Sequence, residues 1–152
     1  MLTAQDIMTR EVISVGPEME VEQLAALLWE NKISGVPVVE NGDTLIGVVT
    51  ESDLIDQTKK IHIPTVLTIL DSMIFLGDTD KVNQDLRKMT GTKVKDLYSD
   101  KPFTVTETTP VDEIATIMAE KRLHTLPVVR QGKLVGIIGK ADIIRSIYQG
   151  KR

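Results

Sequence analysis

The chain contains one pattern twice. Asp6-Ile7-Met8-Thr9 aligns with Asp96-Leu97-Tyr98-Ser99, and reading on, Val15 falls on Val105, Val21 on Val111, Ala25 on Ala115 and Glu30 on Glu120. Ile33-Ser34-Gly35-Val36-Pro37-Val38-Val39 then falls on Leu123-His124-Thr125-Leu126-Pro127-Val128-Val129, and Gly42 on Gly132. One extra residue in the first copy's turn shifts the register. After it, Gly47-Val48-Val49-Thr50-Glu51-Ser52-Asp53 falls on Gly136-Ile137-Ile138-Gly139-Lys140-Ala141-Asp142. Pro, Gly and Asp hold their places throughout, so the pattern is a tandem duplication, and the 152 residues must fold as two like units.

Each copy reads as β-α-β-β-α. Val12–Val15 and Phe103–Val105 are short β-rich runs. Val21, Leu24, Ala25 and Leu28 recur at helical spacing, as do Val111, Ile114, Ala115 and Met118. Thr109-Pro110 supplies a cap and a proline for the start of the second of these helices. Val36–Val39 and Leu45–Val49 form a hairpin around Asn41-Gly42-Asp43, and Leu126–Val129 and Leu134–Ile138 form one around Gln131-Gly132. A last helix begins at Ser52-Asp53 and at Ala141-Asp142. Continuous apolar strands need cover on both faces, which a unit of about 50 residues lacks alone. The expected fold is therefore α+β, two tandem repeats packed about a pseudo-twofold axis. The expected boundaries are a first repeat over 1–54, a helical insertion over 55–93 and a second repeat over 94–152.

Composition narrows the chemistry. No cysteine is present, which excludes disulfides, thiolate metal sites and thiol catalysis. The two histidines, His62 and His124, are far apart in sequence, so no metal site is expected. A net charge of -4 without a basic block argues against nucleic acid or an anionic membrane as a partner. Aromatic residues are 3%, too few for a base-stacking surface. The N-terminal sequence has no apolar export signal, and the longest apolar run, Ile61 to Gly77, is shorter than the roughly 20 residues of a spanning helix. A cytoplasmic protein is expected. Within that run Ile63, Val66, Leu67, Leu70, Met73 and Ile74 form one helical stripe, expected to be a homodimer contact or a cap on its own module.

These residues resemble the tandem CBS-domain pair, or Bateman module. The resemblance rests on Asp6-Ile7-Met8-Thr9 with its degenerate copy at 96–99, on Val36-Pro37-Val38-Val39 and Leu126-Pro127-Val128-Val129, and on Gly47, Thr50 and Asp53 at their spacing. It covers nearly the whole chain apart from the insertion. It implies a stand-alone regulatory module whose ligand, an adenine nucleotide, lies in clefts between the repeats.

In the primary cleft so implied, a buried strand ends at Thr50 and a helix opens at Ser52-Asp53. Its N-terminus favours phosphate, the Thr50 hydroxyl can donate to it, and Asp53 can accept from ribose hydroxyls. The same residues are also good helix caps, and both roles remain open. The resemblance places adenine between Gly35-Val36-Pro37 and the backbone at Val12-Ile13. It also brings His124, with Lys140, across the pseudo-twofold to the phosphate. The secondary cleft implied is Phe103, Thr104, Thr125, Leu126, Pro127 and Asp142, with Ser34 reciprocal to His124. Gly139 replaces the threonine there, so weaker or no occupancy, or a less charged ligand, is expected.

No nucleophile–base arrangement or phosphate loop appears, and Glu51 with Asp53 reads as turn charge rather than an acid/base pair. The function read from the sequence is a non-catalytic sensor for AMP, ADP or ATP, bound as regulatory ligand rather than cofactor. It would signal to a partner protein or through its own dimer. The alternative is a ligand-free docking scaffold of the same fold.

Overall fold

A computed structural model describes residues 1–60 and 92–149. The apolar stripe over 61–77, and with it the expected dimer contact, lies outside the described residues. The elements run α1 (Ala4–Ile7), α2 (Val21–Asn31), β1 (Gly35–Glu40), β2 (Thr44–Thr50) and α3 (Glu51–Lys60). A 3-10 turn (Val94–Asp96) is followed by α4 (Val111–Glu120), β3 (Thr125–Arg130), β4 (Lys133–Gly139) and α5 (Lys140–Gln149). Helix α3 thus continues past residue 54, and it has the same length as its counterpart α5.

The four strands form one sheet in the order β1-β2-β4-β3. Each hairpin is antiparallel with a bulge at the same place, Val38/Val39 and Val128/Val129. The turns place Gly42 at φ 93° and Gly132 at φ 80°, where a side chain is disfavoured. The hairpins pair with each other at their turn ends, through Thr44 opposite Lys133.

The short β-rich runs are reduced to single bridges, Val15 with Val38 and Val105 with Val128. Val15 donates to the Pro37 carbonyl (3.1 Å) and accepts from Val39 N–H (2.9 Å). One step earlier, a parallel ladder would need an N–H from residue 37 or 127. Both are proline, so the pairing stops there. Helix α4 also starts differently from its sequence signature. Pro110 occupies the cap position, and the Thr109 hydroxyl accepts instead from the Thr106 N–H (3.1 Å).

The two repeats exchange their opening segments. Ala4, Ile7 and Met8 are buried with Val105, Ile114, Met118, Leu126, Val128 and Ile138, the core of the second repeat. Reciprocally, Val94 is buried with Val15, Leu24, Leu28, Val36, Val38 and Val49, and Leu97 and Tyr98 pack on that cluster. Backbone bonds follow the same exchange. Thr9 and Ile137 bond in both directions (2.8 and 3.0 Å), as do Ser99 and Val48 (2.9 and 3.1 Å). Glu18 meets Lys93 (3.1 Å) and Lys95 (3.3 Å) on the arriving segment. Their hydrogen bonds, Lys93 first, hold the Glu18 carboxyl below its ordinary range. A depressed carboxylate supports the fold above its unfolded pKa and loses that contribution as pH falls through the folded value.

Candidate functional site

A cleft of about 510 Å³ lies where the two repeats face each other. That size suits a small organic ligand. One wall is the segment leaving α1, with Thr9, Glu11 and Ile13; a second is the α2–β1 junction, Lys32 to Gly35. The pseudo-symmetric α4–β3 junction contributes His124 and Thr125, and the floor is Ile137, Gly139 and the first turns of α5 with Lys140, Ala141, Asp142 and Arg145. Lys32 sits at the end of α2 in the left-handed conformation (φ 54°), which turns the chain sharply out of the helix and towards β1.

The opening of α5 differs from that of α3 by one side chain. At α3, Asp53 Oδ2 accepts from the Thr50 N–H (2.8 Å) and hydroxyl (3.2 Å), and the Thr50 hydroxyl oxygen accepts in turn from the Asp53 N–H (3.4 Å). This is a reciprocal cap, so the capping role of these residues is realised. At α5, Asp142 Oδ2 accepts from the Gly139 N–H (2.8 Å), but Gly139 has no hydroxyl to return. The Asp142 N–H therefore lacks the hydroxyl acceptor that the Asp53 N–H has, while the Lys140 N–H donates to the His124 carbonyl (3.3 Å). Thr50→Ala should cost about 1 kcal/mol in denaturant-induced unfolding through loss of the cap. Gly139→Ala should not destabilise, because an added Cβ meets its nearest neighbours, His124 O and Asp142 Oδ2, only at 3.7 and 3.9 Å.

Asp142 is the one buried charged residue among the described core, 7% exposed. Its second oxygen accepts from Arg145 (2.8 Å). Around it the cleft carries three fixed cations, Lys32, Lys140 and Arg145, against two carboxylates, Glu11 and Asp142. With the positive end of the α5 dipole this favours an anion beside a hydroxyl-bearing group. Ile13, Ile33 and Ile137 supply apolar surface.

The structure gathers the expected site residues into a grouping that cuts across the two clefts read from the sequence. Ile13, Gly35, His124 and Lys140 line the same cleft as Ser34, Thr125 and Asp142, whereas Thr50, Ser52, Asp53, Val12, Phe103 and Thr104 are not part of its lining. Val36, Pro37, Leu126 and Pro127 are fully buried in the hairpins, so the surface at those junctions comes from Gly35 and Thr125 instead. Phe103 is half exposed and carries Lys121 over its ring at 5.3 Å. Among the described residues no cluster of metal-ligating side chains occurs, and no helix is long and apolar enough to cross a membrane.

The family model for the CBS domain matches residues 4–60 and again 94–149. The chain belongs to the CBS-domain family. The chloroplastic CBS domain-containing protein CBSX2 of Arabidopsis thaliana is 31% identical over 99% of this chain, and its relative CBSX1 is 32% identical over 99%. The chain spans 65% and 66% of the length of these two proteins. The crystal structure of CBSX2 in complex with AMP superposes with a TM-score of 0.76 at 28% identity, covering 100% of both chains. The CBS pair of MJ0100, in complex with 5′-methylthioadenosine and S-adenosylmethionine, shares the fold at 20% identity and a TM-score of 0.69.

Lys32, Thr9, Glu11 and Arg145 are cleft residues that the sequence reading missed. The internal repeat held a signal for Lys32: it aligns with Arg122, and the two share the left-handed turn at the end of matching helices (φ 54° and 55°). Arg145 was visible as a cation three residues after Asp142, one helical turn away.

Proposed function

We propose that this CBS pair is a non-catalytic regulatory module that binds an adenine nucleotide in the Asp142 cleft. In this reading the ribose hydroxyls donate to Asp142. The phosphate meets the N-terminal turn of α5 with Lys32, His124 and Lys140, and the base lies against Ile13, Ile33 and Ile137. Occupancy is passed to a partner protein or through a homodimer. The observation that carries the reading is the buried Asp142 at the start of α5, where no hydroxyl caps its N–H, beside a cleft of about 510 Å³ with excess positive charge. That a relative of this fold was crystallised with AMP supports the ligand class.

Calorimetric titration of AMP, ADP and ATP into the wild type, Asp142→Ala and Asp53→Ala tests it. Loss of a hydrogen bond to a charged group corresponds to about tenfold or more in affinity. Asp142→Ala should therefore weaken AMP by at least about that factor, and Asp53→Ala by much less. The reverse ranking would move the ligand to the Asp53 side. An absence of saturable binding at millimolar nucleotide would leave a docking scaffold as the better account.

A further inference from the structure

We propose that Arg145 is the positioning residue that makes the Asp142 cleft selective for ribose over deoxyribose; the inference rests on the nucleotide reading above. A buried carboxylate needs a compensating charge and a fixed orientation to serve as an acceptor. Asp142 has both. Gly139 N–H holds Oδ2 at 2.8 Å, and Arg145 Nη2 holds Oδ1 at 2.8 Å, leaving each oxygen one lone pair for a ligand hydroxyl. The guanidinium is itself anchored, since Nη2 also donates to the carbonyl of Ile7 at 3.2 Å. Ile7 ends α1, the exchanged segment docked on the second repeat, so the orientation of Asp142 is tied to that docking. At the matching place in the first repeat stands Asp56, which cannot compensate Asp53. Arg145 borders both the ligand cleft and a smaller cavity of about 190 Å³ on its other side. Its place is therefore set by hydrogen bonds more than by packing, and its side chain is 50% exposed.

The test compares AMP with 2′-deoxy-AMP by calorimetric titration of the wild type, Arg145→Gln and Arg145→Lys, with melting curves to confirm folding. The wild type should prefer AMP. Arg145→Gln should lose about tenfold in AMP affinity while 2′-deoxy-AMP changes little, so that the preference collapses, and Arg145→Lys should restore part of it. A parallel loss for both ligands would reduce Arg145 to a structural role, and an unchanged preference would remove it from the site; either overturns the proposal. A wild type that binds AMP without preferring it over the deoxy form refutes a contact between Asp142 and the 2′-hydroxyl, and this inference with it. A wild type that binds neither refutes the nucleotide reading itself.

Discussion

Gly136→Ala and Met8→Ala should each destabilise the protein, yet together cost less than their sum. A Cβ on Gly136 would overlap the Sδ and Cγ of Met8, which crosses over from the other repeat. Overpacking of this kind costs about 1–3 kcal/mol. Met8 is 8% exposed within the second core, so its truncation should cost about 2–5 kcal/mol. Removing the thioether vacates the space the new methyl needs, and contacting sites couple by about 0.5–3 kcal/mol. Urea unfolding of the two single variants and the double variant measures that term directly. Additive costs would mean that Met8 does not rest on Gly136 and that the opening segments stay with their own repeats. The mirror position behaves differently. A Cβ on Gly47 would meet the Tyr98 ring and also the Ser99 carbonyl oxygen, which is backbone. Gly47→Ala should therefore be the costlier of the two glycine substitutions, and Tyr98→Ala should not rescue it.

This exchange marks the limit of what the sequence could disclose. The repeat, the hairpins, their glycine turns and the helix faces are all encoded by local spacing, and local spacing survives translation into structure. Leu24 and Leu28, and Ile114 and Met118, are buried as their periodicity requires, whereas Ala25 of the first stripe is exposed. Which of two nearly identical cores receives Ile7-Met8 is a different question. The pattern Asp-Ile-Met-Thr presents the same apolar face whether it folds back or crosses over, because the two cores offer equivalent pockets. The assignment of cleft residues inherits the same ambiguity. Thr9, Glu11 and Ile13 arrive beside Asp142 because α1 has crossed, and spacing along the chain carries no trace of that. The buried Pro37 and Pro127 illustrate a second limit. Proline at a strand start reads equally as edge or wall, and only the arrival of Val15 and Val105 alongside settles it as covered.

The asymmetry between the clefts should appear most strongly as ligand-dependent stability. A ligand that binds only the folded state adds RT ln(1 + [L]/Kd), about 2.7 kcal/mol at a hundredfold excess over Kd. For a chain of this length that raises Tm by about 5–10 °C. AMP should give this shift in the wild type, and adenosine at equal concentration a much smaller one, because the cations and the α5 terminus act on the phosphate. Lys32→Glu/Lys140→Glu turns the excess of cations in the cleft into an excess of carboxylates. In that variant the shifts produced by AMP and adenosine should converge, while Tm without ligand stays near the wild-type value, since both lysines are exposed. Raising ionic strength should shrink the AMP shift in the wild type and leave it nearly unchanged in the reversed variant, because exposed charges are screened within about 10 Å at 0.1 M salt. An AMP shift that survives charge reversal would place the phosphate away from Lys32 and Lys140, and the ligand would then have to be sought against Thr50 and Asp53, where the helix terminus is already capped.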